Sequence, residues 1–209
     1  MNIAIIGAGD LGKVLAYHIE NDSNDNVVGF LDDNYSKAEL VQGKPVLGNI
    51  DEAQRLFDEG QFDQLLVAIG YNHFEFRASV FEKMKSIAPL YTFIHSSSYV
   101  DSSIVIGSGV FIFPGCVIDR GCVIEENVLL NTGVIIAHDS KVKKHSFIAP
   151  AVNISGFSEI GEKCFLGINA TIVDNVVIGN SIQIGAGSLV LKTLEVEGIY
   201  IGSPAKLKI

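Results

Sequence analysis

An aliphatic residue recurs at every sixth position from Ile94 to Val190 without a break, and no other feature limits the C-terminal half of the chain so strongly. The series is Ile94, Val100, Ile106, Ile112, Ile118, Ile124, Leu130, Ile136, Val142, Ile148, Ile154, Ile160, Leu166, Ile172, Ile178, Ile184 and Val190. Four residues after its members lie small or β-branched residues: Val110, Cys116, Cys122, Val128, Val134, Ser140, Ser146, Val152, Ser158, Cys164, Ala170 and Val176. A single hexapeptide cannot bury its apolar side chain, but stacked coils share one core and pair their backbones from coil to coil. The pattern therefore predicts one short strand per hexapeptide in a β-helix. If three hexapeptides make a triangular coil, residues 18 apart stack and the run holds between five and six coils.

The first 90 residues have no such period. An apolar run, Asn2–Ile6, leads into Gly7-Ala8-Gly9-Asp10-Leu11-Gly12, and a helix is expected from about Leu11 to Glu20. A second strand, Val27–Leu31, ends in Asp32-Asp33; a helical stretch, Ile50–Glu59, precedes a third strand, Gln64–Ile69, which closes on Gly70. Phe74–Ser86 is again helical in pattern. Strands alternating with helices predict a small Rossmann-like α/β domain over residues 1–90, followed by the repeat domain over 91–209.

The glycine turn follows a strand and opens a helix, the setting in which backbone N–H groups and a helix N-terminus approach a phosphate. Asp32 and Asp33 stand about 20 residues beyond Gly12, where dinucleotide enzymes hold a ribose carboxylate. An NAD site is one reading. Three expected strands and the lack of a second mononucleotide-binding half favour some other nucleotide-type ligand near Gly9, Asp10, Leu11, Asp32, Asp33 and Gly70, with a merely structural glycine turn as the remaining reading. Whether the two carboxylates would take ribose hydroxyls or a pyrimidine N–H is open.

Composition removes other classes. A net charge of −9 lacks the basic footprint that nucleic acid needs. No run of about 18 apolar residues is present to span a bilayer. The N-terminus reads as a strand without a basic n-region or small-residue cleavage site, so a cytoplasmic location is expected. Cys116, Cys122 and Cys164 share one register of the repeat, which makes them small core residues in preference to metal or redox groups. No metal-ligand spacing is present.

Of the five histidines, His18, His73 and His95 fit helix-surface, loop and first-coil roles. His138 differs. It takes an outward corner position in Ile136-Ala137-His138-Asp139-Ser140-Lys141, and the same corner one coil higher is Gly156. A glycine over an outward imidazole leaves a notch, and Asp139 can orient the ring. An imidazole, with an ordinary pKa of about 6.5, suits removal of a proton from an amine or hydroxyl at neutral pH.

Several segments together resemble one family: Gly-Ala-Gly-x-x-Gly at the start, Phe30-Leu31-Asp32-Asp33, Ala68-Ile69-Gly70, Asn131-Thr132-Gly133, His138-Asp139, Asn153-Ile154-Ser155-Gly156, Phe165-Leu166-Gly167-Ile168-Asn169 and Gly202-Ser203-Pro204-Ala205-Lys206. The chain resembles the hexapeptide-repeat sugar acetyltransferases, the sialic acid O-acetyltransferase and bacillosamine/perosamine N-acetyltransferase group, along essentially its whole length. The resemblance implies a left-handed, three-faced β-helix, a homotrimer, a nucleotide-linked amino sugar on the N-terminal domain and acetyl-CoA in a groove between subunits. It implies His138 as general base, Asp139 as its support, and direct attack of the sugar amine on the thioester. Gly156, Ile168 and Ala186 are the implied coenzyme A contacts, with the tail Gly198–Lys206 bordering the adenine end. An acceptor hydroxyl on sialic acid, and a trimeric scaffold without activity, are the rival readings. One departure stands out. Family members carry a second histidine nine residues after the first, where this chain has Phe147; His145 falls two short of it and reads as structural.

Overall fold

The computed structural model describes residues 1–208 and divides into two compact units, Met1–Phe93 and a second that begins at Ile94.

In the first unit, β1 (Asn2–Ile6), β2 (Asn26–Leu31), β3 (Leu40–Val41), β4 (Lys44–Gly48) and β5 (Gln64–Val67) form one sheet in the order β3-β4-β2-β1-β5. Strand β1 lies parallel to β2 and β5, β4 is parallel to β2, and β3 turns back antiparallel on β4. Helix α1 spans Asp10–Asp22, α2 Ala53–Asp58 after a short 3-10 turn, and α3 Phe74–Lys85. The β3–β4 hairpin is the element that periodicity missed. Its strands are short, Pro45 falls within β4, and Gly43 takes the positive φ of the connecting turn. Ile3, Ala4, Ile5, Ile6, Phe30 and Leu31 are fully buried, which fits β1 and β2 as central strands with near-continuous apolar sequence.

The second unit is a left-handed parallel β-helix. Its three faces run through the strands Tyr99–Val100, Val105–Ile106 and Phe111–Ile112, and each of these pairs in parallel with the strand 18 residues later. The repeat residues from Ile112 to Val190 are fully buried and fill the interior. Ile94, Val100 and Ile106 are not, because they sit at the end of the stack, where no coil lies beneath them. Beyond the last full coil, Gly198–Ile201 pairs with Ile182–Ile184, and Lys206–Leu207 folds back antiparallel on it.

The second inward register does more than fill space. Ser158 Oγ donates to Val173 O at 2.9 Å and accepts from Val176 N at 3.3 Å. Ser140, Ser146 and Ser98 repeat the pattern, each donating to a carbonyl 15 residues on and accepting from an amide 18 residues on. Cys116, Cys122 and Cys164 donate S–H to carbonyls in the same place, at 3.1, 3.2 and 3.0 Å. The hydroxyls and thiols of this register are thereby paired inside the prism. Burial pushes the Cys164 thiol up to about 11 and also raises Cys116 and Cys122, so these are inert, protonated core groups.

Candidate active site

His138 stands on the corner between the strands Ile135–Ile136 and Lys141–Val142. Its Nδ1 lies 3.1 Å from Asp139 Oδ2. An ionised carboxylate can only accept, so Nδ1–H donates and the Nε2 lone pair is left for an incoming proton. Asp139 reaches this position through a left-handed backbone, φ 58°, and its amide is fixed by Arg120 O at 3.0 Å.

Three neighbours shape the corner. Gly156, one coil above, has room for no side chain: a Cβ there would lie 2.8 Å from Cε1 and 3.0 Å from Nε2 of His138. Gly121, one coil below Asp139, is constrained in the same way, since a Cβ would come 2.5 Å from Asp139 Oδ1. Phe157 packs its ring edgewise against the imidazole, with centroids 5.0 Å apart and planes at 83°. Arg120 Nη2 stands 3.8 Å from Asp139 Oδ2, a loose cationic neighbour of that carboxylate. Gly121, Arg120 and Phe157 were not singled out from the sequence. The stacking period places 120 and 121 under 138 and 139, and this was the signal for two of them; a large exposed aromatic beside a required glycine was the signal for the third.

At some corners the ladder leaves an amide unused, whereas at others, such as Thr132 and Glu162, a side chain takes it up. Ser155 N and Phe157 N donate to Ile172 O and His138 O, whereas Gly156 N has no partner among the described residues. The same holds for Ile168 N, between the bonds of Gly167 N to Ile184 O and Asn169 N to Pro150 O, and for Ala186 N one coil higher. Gly156 shares the corner of His138, but Ile168 and Ala186 lie on the preceding corner, between the Phe165–Leu166 and Thr171–Ile172 strands and their upper neighbours. One chain therefore does not bring all three cofactor candidates to a single corner, because residues 12 apart fall two-thirds of a coil from each other. Past Ala186, a cleft of about 590 Å³ at the end of the prism is lined by Lys192, Thr193, Glu195, Tyr200, Ala205 and Lys206 among others.

Phe147 is buried on the third face, with its ring 6.0 Å from that of Phe165. His145 is buried on another corner, its Nδ1 2.9 Å from Asn127 Nδ2, one coil below. It is a structural residue. His95 Nδ1 meets Ser97 Oγ at 2.9 Å, His18 packs edgewise on Tyr17, and His73 is exposed.

In the first unit, the glycine turn has the shape its sequence implied. Gly7 takes φ +104°, and a Cβ on Gly12 would sit 2.0 Å from Gly7 O, so only glycine allows α1 to pack this closely on β1. At Gly9 and Gly70 a Cβ would meet nothing within 4 Å, which leaves open space at the C-terminal ends of β1 and β5. Asp10 and Leu11 open α1, whose N-cap Gly9 offers no side chain. Asp33 is exposed, with Oδ1 accepting from Ile50 N at 2.9 Å. Asp32 is buried and bonded inward, to Ala8 N and to Asn34. Among the described residues, no cluster of three or more His, Cys, Asp or Glu could hold a metal ion, and no helix is long and apolar enough to cross a membrane.

Comparison with known proteins agrees with both halves. Residues 2–84 match the PglD N-terminal domain family, and residues 157–192 match the bacterial transferase hexapeptide (six repeats). A crystal structure of a perosamine N-acetyltransferase variant from Caulobacter crescentus, in complex with CoA and GDP-perosamine, superposes with a TM-score of 0.93 at 30% identity, over 100% of this chain and 97% of that one. The acetyltransferase domain of PglB from Neisseria gonorrhoeae FA1090, in complex with acetyl coenzyme A, gives 0.89 at 28% identity, over 99% of this chain and 98% of that one. Among curated proteins, UDP-3-O-acylglucosamine N-acyltransferase of Bordetella pertussis is 29% identical over 73 residues, 35% of this chain. That match spans about a fifth of the relative's length, 20%. With a PglD-type N-terminal domain joined to a hexapeptide β-helix, the chain belongs to the hexapeptide-repeat sugar acetyltransferases, the group that includes the bacillosamine and perosamine N-acetyltransferases.

Proposed function

We propose that this chain is an acetyl-CoA-dependent N-acetyltransferase acting on a nucleotide-linked 4-amino-4,6-dideoxy sugar, made for a surface polysaccharide. The observation that carries the reading is the His138 corner, where a carboxylate-held imidazole with a free Nε2 faces a notch that only glycine can leave. Nε2 takes the proton from the sugar amine as its nitrogen attacks the thioester carbonyl. The N–C bond forms, the C–S bond breaks, and the proton passes from His138 to the departing CoA sulfur. No acyl-enzyme is needed.

Phe147 has no donor with which to polarise the acetyl carbonyl. The unbonded Gly156 N–H beside the imidazole is the group suited to that task, since a fixed backbone donor stabilises a developing oxyanion. The free amides of Ile168 and Ala186 suit the pantetheine arm, and the cleft with Lys192 and Lys206 suits the adenine end. Because these amides and His138 occupy different corners, a complete site asks for two subunits, as in the expected homotrimer. Exposed Tyr99, Val117 and Ile135, stacked on one flat face, support such an assembly. In the first unit, Gly9, Asp10, Leu11, Asp33 and Gly70 border the space proposed for the nucleotide. The solved perosamine N-acetyltransferase, at 30% identity over nearly the whole chain, favours N- over O-acetylation. Three free, protonated cysteines suit a reducing cytoplasm.

The reading is tested by incubating the protein with acetyl-CoA and dTDP-, UDP- and GDP-linked 4-amino sugars and sialic acids, with thiol release and product mass as readouts. One amino sugar should gain a single acetyl group on nitrogen. Acetylation of sialic acid alone, or of nothing, would overturn it.

A further inference from the structure

We infer that Asp32 is a positioning residue that sets the shape of the Gly7–Gly12 turn, and that it does not read the ribose of the ligand. The inference rests on the proposal that the first unit holds a nucleotide.

Asp32 follows β2 directly, and its main chain is pinned by its amide to Gly48 O at 3.1 Å, while Gly7 N donates to Leu31 O beside it. Its carboxylate has three donors. Oδ2 accepts from Ala8 N at 2.7 Å, and Oδ1 accepts from Asn34 N at 2.8 Å and Asn34 Nδ2 at 3.1 Å. Two donors fill the lone pairs of Oδ1. The residue is only 9% exposed.

The turn requires this arrangement. Ala8 is fully buried between Gly7, at φ +104°, and Gly9, the N-cap of α1. Its N–H belongs neither to the β1 ladder nor to the helix, and a buried donor without an acceptor is costly. Asp32 supplies the acceptor through a charge-assisted bond, linking the end of β2 to the turn at the end of β1. The donors left for a phosphate are those beyond Ala8, at the start of α1. The exposed neighbour, Asp33, is the carboxylate of the pair that a ligand can reach.

The two roles separate experimentally. Asp32→Asn keeps the size; its one carbonyl oxygen goes to the two Asn34 donors in preference to the single Ala8 donor, which leaves the NH₂ facing Ala8 N–H. Amide hydrogen exchange at Ala8 is measured without nucleotide in the full chain, and GDP, UDP and their 2′,3′-dideoxy forms are titrated by calorimetry. Exchange at Ala8 should accelerate by at least about tenfold in D32N, as expected from loss of one charge-assisted bond. Binding should weaken by the same factor for the ribo- and dideoxy-nucleotides. Unchanged Ala8 exchange, or a loss confined to the ribo-nucleotides, would overturn the inference. Should D32N not fold, Asn34→Ala removes one donor to Oδ1 and must show the same equal, smaller weakening. If neither nucleotide binds even the unaltered chain, the nucleotide reading fails, and Ala8 exchange still decides what Asp32 does.

Discussion

Gly156 lies over the imidazole of His138 so closely that its Cα is the roof of the proposed site: an added methyl would meet Cε1, Nε2 and Nδ1 at 2.8, 3.0 and 3.2 Å. The backbone at Gly156 is not in the left-handed region, so alanine is conformationally allowed there and the imidazole must yield. Gly156→Ala should therefore fold normally yet lose about 10- to 100-fold in kcat, the scale of a displaced catalytic group. Steady-state kinetics beside a thermal melt checks this; a lowered Tm with unchanged kcat would assign Gly156 to packing alone.

Phe157 holds the same ring from the side. Removing one edgewise aromatic contact, worth about 0.5–1.5 kcal/mol, should lower kcat of Phe157→Ala roughly 2- to 10-fold. KM for acetyl-CoA should stay constant, and Phe157→Leu should recover part of the loss. A change in KM alone would make Phe157 a cofactor contact.

The hydroxyl ladder makes a prediction about stability. Ser158→Ala leaves Val176 N without its acceptor in a buried position, at a cost of about 1–3 kcal/mol in denaturant unfolding. Ser158→Cys should cost less, because cysteine already fills this register at Cys116, Cys122 and Cys164. Equal losses would show that the ladder bonds contribute little.

Burial of the thiols gives an alkaline limit. The Cys164 thiol is raised from 9.0 to about 11, so its contribution is whole below pH 9 and is lost as pH rises toward 11. A shift of that size corresponds to about 2–3 kcal/mol at the alkaline end. Tm should fall more steeply between pH 9 and 11 in the unaltered chain than in Cys164→Ala, and parallel curves would contradict the assignment.

Much of this was legible because the repeat is strict. One aliphatic residue in six fixed the strands, and the 18-residue stacking alone puts Gly156 over His138. What the period could not supply was the use made of its second register, since hydroxyl and thiol bonds to carbonyls 15 residues away leave no hydropathy signature. The separation of Ile168 and Ala186 from the His138 corner was implicit in the register but needed the faces to be traced. In the first unit, the short β3–β4 hairpin is too brief for alternation to show. The inward turn of Asp32 depends on where Ala8 N–H is left unpaired, which spacing from Gly12 does not report.

The most direct test of the proposed chemistry compares single-turnover acetyl transfer by the unaltered enzyme and His138→Ala, with acetyl-CoA and the best amino-sugar acceptor both saturating. The account predicts a loss of at least about 100-fold, within the range for a removed general base, with acetyl-CoA binding retained. Transfer at the original rate in His138→Ala would contradict it.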